Sequence, residues 1–190
     1  EFSGGITDLD SLRADGFAEN LCVVVSDVPM DGVSLGENQK GLLLDLDDRK
    51  VLYSKQALQK VYPASITKIM TAMLALKYGN MNDVVTITQE NLNLEEGSQV
   101  CGFWAGDQVT MDQLLHCLLV YSGNDAAAAI AEHVGSSTDG FVEMMNSYAR
   151  ELGCTGTHFT NPHGLQDENH YTTPYDIYLM LKEALNYPEF

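Results

Sequence analysis

The chain has 190 residues, of which 45% are hydrophobic, and it carries 10 Lys and Arg against 27 Asp and Glu, a formal net charge of −17. That length fits one domain or two small ones, and the ordinary apolar content excludes an intrinsically disordered chain. The acidic balance argues against nucleic acid as a partner, because binding nucleic acid requires basic side chains that neutralise phosphates.

The charge is unevenly distributed along the chain. Residues 78–190 contain 16 acidic and two basic side chains, whereas residues 40–77 contain seven basic and three acidic ones. A positive segment in an acidic protein either attracts an anionic substrate or is an ordinary solvated surface. Charge alone leaves both interpretations open.

The first third of the chain predicts a few short strands. Residues 1–20 are polar and contain glycine, so we expect them to be poorly ordered. A short β-branched run follows at residues 21–25. Residues 41–46 and 50–54 flank Asp47-Asp48-Arg49 and predict a hairpin, and the alternating residues 84–88 predict an edge strand.

The remainder of the chain predicts helices with clear boundary signals. Glycine caps, a Thr110–Gln113 capping box and a Thr173-Pro174 start mark their ends. The predicted helices are residues 65–78 before Gly79, Met111–Val120, residues 125–134 before Gly135, residues 139–152 after Thr138, and residues 174–185. One hairpin followed by helices predicts an α+β fold whose sheet is short of strands.

The sequence Ser65-Ile66-Thr67-Lys68, after Pro63, is the first candidate for chemistry. A serine hydroxyl is a weak nucleophile, and a lysine one helical turn away can act as its base when burial or nearby cations lower the lysine pKa. The pattern is short, and Ser65 as a helix cap with Lys68 on the surface is the simpler alternative. The following helix is apolar nearly all round, which indicates a buried helix whose polar start opens onto a cleft.

The corner Ser122-Gly123-Asn124, between two predicted apolar helices, is the second candidate. An asparagine side chain both donates and accepts hydrogen bonds, so Asn124 suits a peptide amide or a lysine amine. An ordinary interhelical turn also favours Ser, Gly and Asn for local reasons. S-x-x-K together with S-x-N is a known combination in penicillin-binding proteins and class A β-lactamases.

The sequence around both motifs resembles the serine D-alanyl-D-alanine carboxypeptidases, the low-molecular-mass penicillin-binding proteins. The segments that carry the resemblance are PASITKIMTAMLAL, LLHCLLVYSGNDAAAAIAEHV, THFTNPHGL and HYTTPYDIYLML. The resemblance runs from about Gly41 to Phe190 and implies a β-lactamase/DD-peptidase-like α+β fold. It implies that residues 21–190 are the N-terminal and helical portion of an incomplete catalytic domain, with only the first strands of a central antiparallel sheet.

The resemblance also implies roles for four residues. Ser65 corresponds to the nucleophile that attacks the penultimate D-alanine of a peptidoglycan stem peptide, and Lys68 corresponds to the general base. Ser122 corresponds to a proton relay, and Asn124 to a residue that contacts substrate and Lys68. The implied activity is release of the terminal D-alanine through an acyl-enzyme, and β-lactam antibiotics would acylate the same serine.

The third motif of the family, K-T-G, does not occur in the 190 residues. In the family its lysine binds the substrate carboxylate, and a nearby backbone N–H completes the oxyanion hole. We therefore expect a second chain or a further segment to complete the sheet, and little turnover from this chain alone, since one lost oxyanion donor costs roughly 10²–10³ in rate. A compact, cooperative monomer formed by this chain alone would contradict that expectation.

Two other functions compete with the carboxypeptidase. A β-lactamase of the same fold would deacylate a labelled penicillin rapidly, whereas a peptidase would keep a long-lived adduct on Ser65. A non-catalytic wall-binding or penicillin-sensing module would leave Ser65 unlabelled.

The resemblance places the protein outside the cytoplasm, in the cell envelope at the outer face of the cytoplasmic membrane, held there only through an anchor that the 190 residues do not include. No cofactor is expected. No metal is expected either, and we expect His163 and His170 to be hydrogen-bonding anchors. The four cysteines contain no C-x-x-C pair, and their spacing does not decide whether they form disulfides. Cys117 lies in an apolar run and is expected to be a small buried residue.

Overall fold

The computed structural model describes residues 20–190. The predicted poorly ordered segment, residues 1–20, lies outside the described residues apart from the exposed Asn20. The chain divides into two compact units, Glu1–Ala57 and Leu58–Phe190.

The first unit contains the predicted hairpin. Strands β1 (Gly41–Asp45) and β2 (Lys50–Lys55) are antiparallel, with Gly41 opposite Lys55 and a register shift between Leu43 and Leu44. The Asp45 side chain accepts hydrogen bonds from the backbone N–H groups of residues 47 and 48, each at 3.0 Å, which stabilises the turn. The β-branched run at residues 21–25 forms no strand.

The second unit contains a two-stranded sheet and five α-helices among the described residues. The strands β3 (Val84–Thr86) and β4 (Gln108–Thr110) are antiparallel. The predicted edge strand is therefore present but ends two residues earlier, and β4 was not predicted. The helices are α1 (Lys68–Tyr78), α2 (Met111–Val120), α3 (Asn124–Gly135), α4 (Thr138–Glu151) and α5 (Pro174–Ala184).

Helix α1 is the central helix of this unit and contacts each of the other four. Its interior residues, including Met70, Met73 and Leu74, are completely buried, as expected for a helix that is apolar nearly all round. Gly79 ends it with an extended backbone rather than a left-handed one. A Cβ at Gly79 would lie 2.6 Å from the Ala75 carbonyl oxygen, so close approach, not positive φ, requires glycine here.

The helix starts match the sequence signals, with a correction at α4. The Thr110–Gln113 capping box is present, and the Thr173 hydroxyl accepts from the N–H of Asp176. The cap of α4 is Ser137, whose hydroxyl accepts from Gly140 N–H at 3.0 Å. Thr138 is therefore the first residue of the helix and not its cap.

Cys117 is only half-buried, contrary to the prediction, because it lies beside the exposed face of α2.

The architecture confirms the α+β class. Among the described residues, Cys101, Cys117 and Cys154 form no disulfide. None of the helices between residues 20 and 190 has the length and apolar character of a membrane span.

Candidate active site

Ser65 lies in a short 3₁₀ turn, Ala64–Thr67, that leads directly into α1. The prediction that an α-helix begins at Ser65 is therefore wrong by three residues. The physical reason is Ala64, whose φ of 47° is left-handed and prevents a regular helical start. Such a conformation is costly for a residue with a Cβ and is common at functional sites. The turn leaves Ser65 exposed.

Lys68, the first residue of α1, is 3% exposed, and its ammonium group contacts three acceptors. Its Nζ donates to Asn124 Oδ1 at 2.7 Å, to the His163 carbonyl oxygen at 2.9 Å and to Ser65 Oγ at 3.3 Å. The structure therefore brings Ser65, Lys68 and Asn124 together. The three N–H bonds of a charged lysine match these three acceptors.

Burial lowers the pKa of Lys68 from 10.5 to about 8, and the nearby Cys101 opposes this shift. Desolvation disfavours the charged form of an amine. When Lys68 loses its proton, two N–H bonds remain, and the Asn124 and His163 oxygens can only accept. The Ser65 hydroxyl alone has a proton to give, so the amine lone pair faces Ser65. This is the arrangement that a general base requires.

Asn124 is placed by the corner between α2 and α3. Ser122 has a left-handed backbone with φ of 62°, and Gly123 N–H donates to the Cys117 carbonyl oxygen at 3.1 Å. Asn124 N–H donates to the Gln99 carbonyl oxygen at 2.8 Å. These bonds join the corner to α2 and to the preceding loop, and they turn the Asn124 side chain toward Lys68.

The Ser122 hydroxyl is the one predicted site group not joined to the others. Among the described residues no hydrogen bond connects it to Ser65, Lys68 or Asn124, although it is half-buried in the same corner. Its role as a proton relay remains a prediction.

A third segment, residues 160–165, contributes backbone that the motif analysis did not identify. The carbonyl of His163 accepts from Lys68, and the carbonyl of Pro162 accepts from Thr71 on α1 at 2.5 Å. Gly164, with φ of 89°, packs so closely that a Cβ there would be 1.9 Å from the Ala64 carbonyl oxygen. The glycine in NPHGL was the available sequence signal for this contact.

The two histidines near the site are hydrogen-bonded anchors, as expected. Leu165 N–H donates to His163 Nδ1 at 3.2 Å, and Thr160 N–H donates to His170 Nδ1 at 3.0 Å. Burial lowers the pKa of each ring to about 4, so both are neutral at pH 7. Between residues 20 and 190 no group of three or more His, Cys, Asp or Glu side chains is arranged to hold a metal ion.

A serine hydroxyl beside a buried lysine amine, at the entrance of an interior helix, is the arrangement that serine acyl transfer of the S-x-x-K type requires. Residues 36–190 match the family model described as D-alanyl-D-alanine carboxypeptidase, peptidase S11. The chain belongs to this family, which confirms the resemblance found in the motifs.

Individual relatives are similar over most of the chain. The D-alanyl-D-alanine carboxypeptidase DacF of Bacillus subtilis is 41% identical over 156 residues, which cover 80% of this chain and 40% of DacF. DacA of Haemophilus influenzae is 37% identical, over 73% of this chain and 37% of DacA. The chain thus spans about two fifths of the length of these relatives.

Solved structures share the fold. Penicillin-binding protein 5 of Haemophilus influenzae matches with a TM-score of 0.73 and 34% identity, over 82% of this chain and 47% of that one. A D-alanyl-D-alanine carboxypeptidase from Mycobacterium tuberculosis matches with a TM-score of 0.78 and 31% identity, over 87% of this chain and 62% of that one. The described helices and short sheets are thus part of a DD-peptidase fold.

Proposed function

We propose that this protein is a serine D,D-carboxypeptidase that removes the terminal D-alanine from peptidoglycan stem peptides. The observation that carries the proposal is Lys68, a buried amine with a lowered pKa that contacts Ser65, Asn124 and the His163 carbonyl. Relatives named as D-alanyl-D-alanine carboxypeptidases, and a structural relative named as a penicillin-binding protein, support it.

The proposed reaction begins when neutral Lys68 accepts the Ser65 hydroxyl proton. Ser65 Oγ then forms a bond to the carbonyl carbon of the penultimate D-alanine, and the peptide C–N bond breaks. The departing D-alanine amine takes up the proton, with Ser122 proposed as the relay. Water then attacks the resulting ester, which regenerates Ser65 and releases the shortened peptide.

The same serine is proposed to open the β-lactam ring of penicillin. Ser65 Oγ bonds to the lactam carbonyl carbon, and the lactam nitrogen receives the proton. Asn124 is proposed to hold Lys68 and an amide of the substrate at once, since its side chain has both a carbonyl and an amide group. Because peptidoglycan lies outside the cytoplasmic membrane, we propose that the protein acts there.

Labelling of Ser65 by a fluorescent penicillin tests this function. We expect the complete gene product to form a long-lived adduct that peptide mass mapping assigns to Ser65, and to release D-alanine from a peptide ending in D-Ala-D-Ala. Ser65→Ala abolishes both activities, whereas the matched control Ser147→Ala, at an exposed position on α4, keeps them.

Three results would contradict the proposal. An adduct on a residue other than Ser65 would remove its chemical basis. Rapid loss of the label with penicillin turnover would indicate a β-lactamase, and absence of labelling together with intact folding would indicate a non-catalytic module.

A further inference from the structure

His170 lies outside the contacts of the proposed reaction, yet both of its ring nitrogens are committed to the elements that form the site. The residue is 2% exposed. Its Nε2 is 2.7 Å from the Thr67 hydroxyl oxygen, and its Nδ1 is 3.0 Å from the backbone nitrogen of Thr160. Thr67 is the third residue of the S-x-x-K motif, and Thr160 begins the segment that includes His163.

These two contacts determine where the ring carries its proton. The backbone N–H of Thr160 can only donate, so Nδ1 of His170 must be unprotonated and accept. The neutral ring then carries its hydrogen on Nε2, which donates to Thr67 Oγ1. The ring is thus a fixed bridge with one accepting and one donating end, each directed to a different part of the site.

The backbone around His170 joins the same two segments. Val61 and Thr172 exchange hydrogen bonds of 2.8 and 2.9 Å just before the Ser65 turn. His158 and Tyr171 exchange bonds of 2.8 and 3.0 Å just before the 160–165 segment. Residues 171 and 172 therefore pair with residues just before each segment, and the His170 ring adds a side-chain link to the segments themselves.

The link connects the segments that carry two of the three partners of Lys68, namely Ser65 and the His163 carbonyl. The turn Ala64–Thr67 positions Ser65, and residues 160–165 position the His163 carbonyl that accepts from Lys68. If the two segments shifted relative to each other, the distances from Lys68 Nζ to its acceptors would change together. A misplacement of about 1 Å in a catalytic group can cost roughly 100-fold in rate.

Other roles for His170 are less consistent with its surroundings. Its ring packs edge-on against Phe159, with the ring centroids 5.5 Å apart, and no free nitrogen remains to take a proton from substrate or to bind a metal. Burial has the largest effect on the His170 pKa and lowers it. Among its titratable neighbours, Asp167 raises this pKa and His158 lowers it, and His170 in turn lowers the pKa of His163.

We propose that His170 is a positioning residue that holds the Ser65–Lys68 turn in register with the His163 carbonyl, so that the Lys68 amine faces Ser65. Its catalytic consequence rests on the proposed function, whereas its effect on Lys68 does not.

The variants that test this are His170→Asn and Thr67→Val in the complete gene product. The asparagine oxygen can replace Nδ1 but its side chain is too short to reach Thr67, and valine keeps the volume of Thr67 while removing the acceptor. We expect the limiting rate of penicillin acylation to fall roughly 10- to 100-fold in each, with little change in the half-saturating concentration.

Matched controls separate positioning from simple destabilisation. Thr67→Ser keeps the acceptor, and His116→Asn changes an exposed histidine on α2, away from this link, so both should acylate within about threefold of the parent. The double variant His170→Asn/Thr67→Val should be no slower than the slower single variant, because both remove the same link. Additive losses would overturn the proposal.

Nuclear magnetic resonance supplies readouts that do not depend on activity. We expect the His170 ring to be neutral with its proton on Nε2 from pH 7 to pH 5. We also expect the pKa of Lys68 to rise from about 8 toward 10.5 in His170→Asn as water enters. A proton on Nδ1, or an unchanged Lys68 pKa, would overturn the proposal. If the parent itself failed to take penicillin while these two NMR results held, the proposed function would fail and the positioning role would stand.

Discussion

At the scale of single residues, the chemistry of this site depends on the free-energy cost of burying the charged form of Lys68. Lys68 is almost completely buried, but its three neighbours are neutral acceptors rather than carboxylates. An acidic partner would have held the amine in its charged form. Instead, burial brings its pKa to about 8, close enough to neutrality for a useful fraction of free amine.

The rate of Ser65 acylation should therefore follow the deprotonation of Lys68. A lysine with a lowered pKa is charged below that pKa and neutral above it, so the rate should rise with pH and reach half its maximum near pH 8. Well below that value the rate should fall about tenfold per pH unit. Stopped-flow acylation by a chromogenic penicillin between pH 5.5 and 9.5 measures this.

Two controls make the pH profile interpretable. Circular dichroism over the same range establishes that the protein remains folded. Lys68→Arg, which stays charged at all these pH values, should lower the rate by roughly 10³-fold or more and remove the rise. A parent rate that is constant between pH 6 and 8 would contradict the assignment of Lys68 as the base.

At the scale of elements, the corner between α2 and α3 is packed from behind by the loop that contains Cys101. The Asp125 carboxylate accepts from the N–H groups of Cys101 and Gly102 and from that of Ala126 in its own helix. A Cβ at Gly123 would lie 2.3 Å from Cys101 Sγ and 2.9 Å from Asp125 Oδ1. This close approach fixes the position of Asn124 relative to Lys68.

Gly123→Ala should therefore displace the corner and slow acylation. Overpacking of this kind costs typically 1–3 kcal/mol in stability. Adding Cys101→Ala removes the closest clash, so the double variant should recover part of both the stability and the rate, and Asp125 limits the recovery. Thermal unfolding and penicillin acylation of the four proteins, with Cys101→Ala as the matched control, provide the measurement. Equal losses with and without Cys101 would show that the contact is unimportant.

Helices α1, α4 and α5 are also joined by a cluster of three side chains, Lys77, Tyr148 and Glu183. Lys77 Nζ of α1 lies 3.8 Å from the ring centroid of Tyr148 on α4, and the Tyr148 hydroxyl donates to Glu183 of α5 at 3.0 Å. Burial and the Glu183 carboxylate raise the pKa of Tyr148, so its hydroxyl remains a donor. The cluster holds the far end of α1, while the active-site contacts hold its start.

At the scale of the whole molecule, most of the −17 charge belongs to residues 78–190, which contain 16 acidic and two basic side chains. Like charges on one surface repel and destabilise the compact state, and salt screens them with a Debye length of about 10 Å at 0.1 M. Lys68 belongs to the stretch of residues 40–77, which contains seven basic and three acidic side chains.

Stability should therefore increase with ionic strength. We expect the thermal midpoint of the protein to rise between 10 and 300 mM NaCl, and Glu95→Lys/Glu96→Lys, at exposed positions, to raise it at low salt but much less at high salt. Glu95→Asp/Glu96→Asp keeps the charge and is the matched control. A midpoint that does not respond to salt would mean that the acidic surface contributes little repulsion.

Features that depend on a few neighbouring residues were predictable from the sequence. These features are the hairpin, helix α2 with its capping box, and the Thr173-Pro174 start of α5. They were predictable because the residues that form a cap or a turn lie within three or four positions of one another in the sequence. The S-x-x-K and S-G-N motifs were found for the same reason, since each is a local arrangement on a helix end.

The tertiary structure decided the contacts that give those motifs their chemistry. The His163 carbonyl is 95 residues from Lys68, and His170 is 103 residues from Thr67. A backbone carbonyl carries no side-chain signature, and nothing in the local sequence indicates that Ala64 is left-handed or that its carbonyl packs against Gly164. The sequence by itself determined which residues stand at the helix ends, and the packing of distant segments determined the burial that lowers the pKa of Lys68 and the acceptors that its amine contacts.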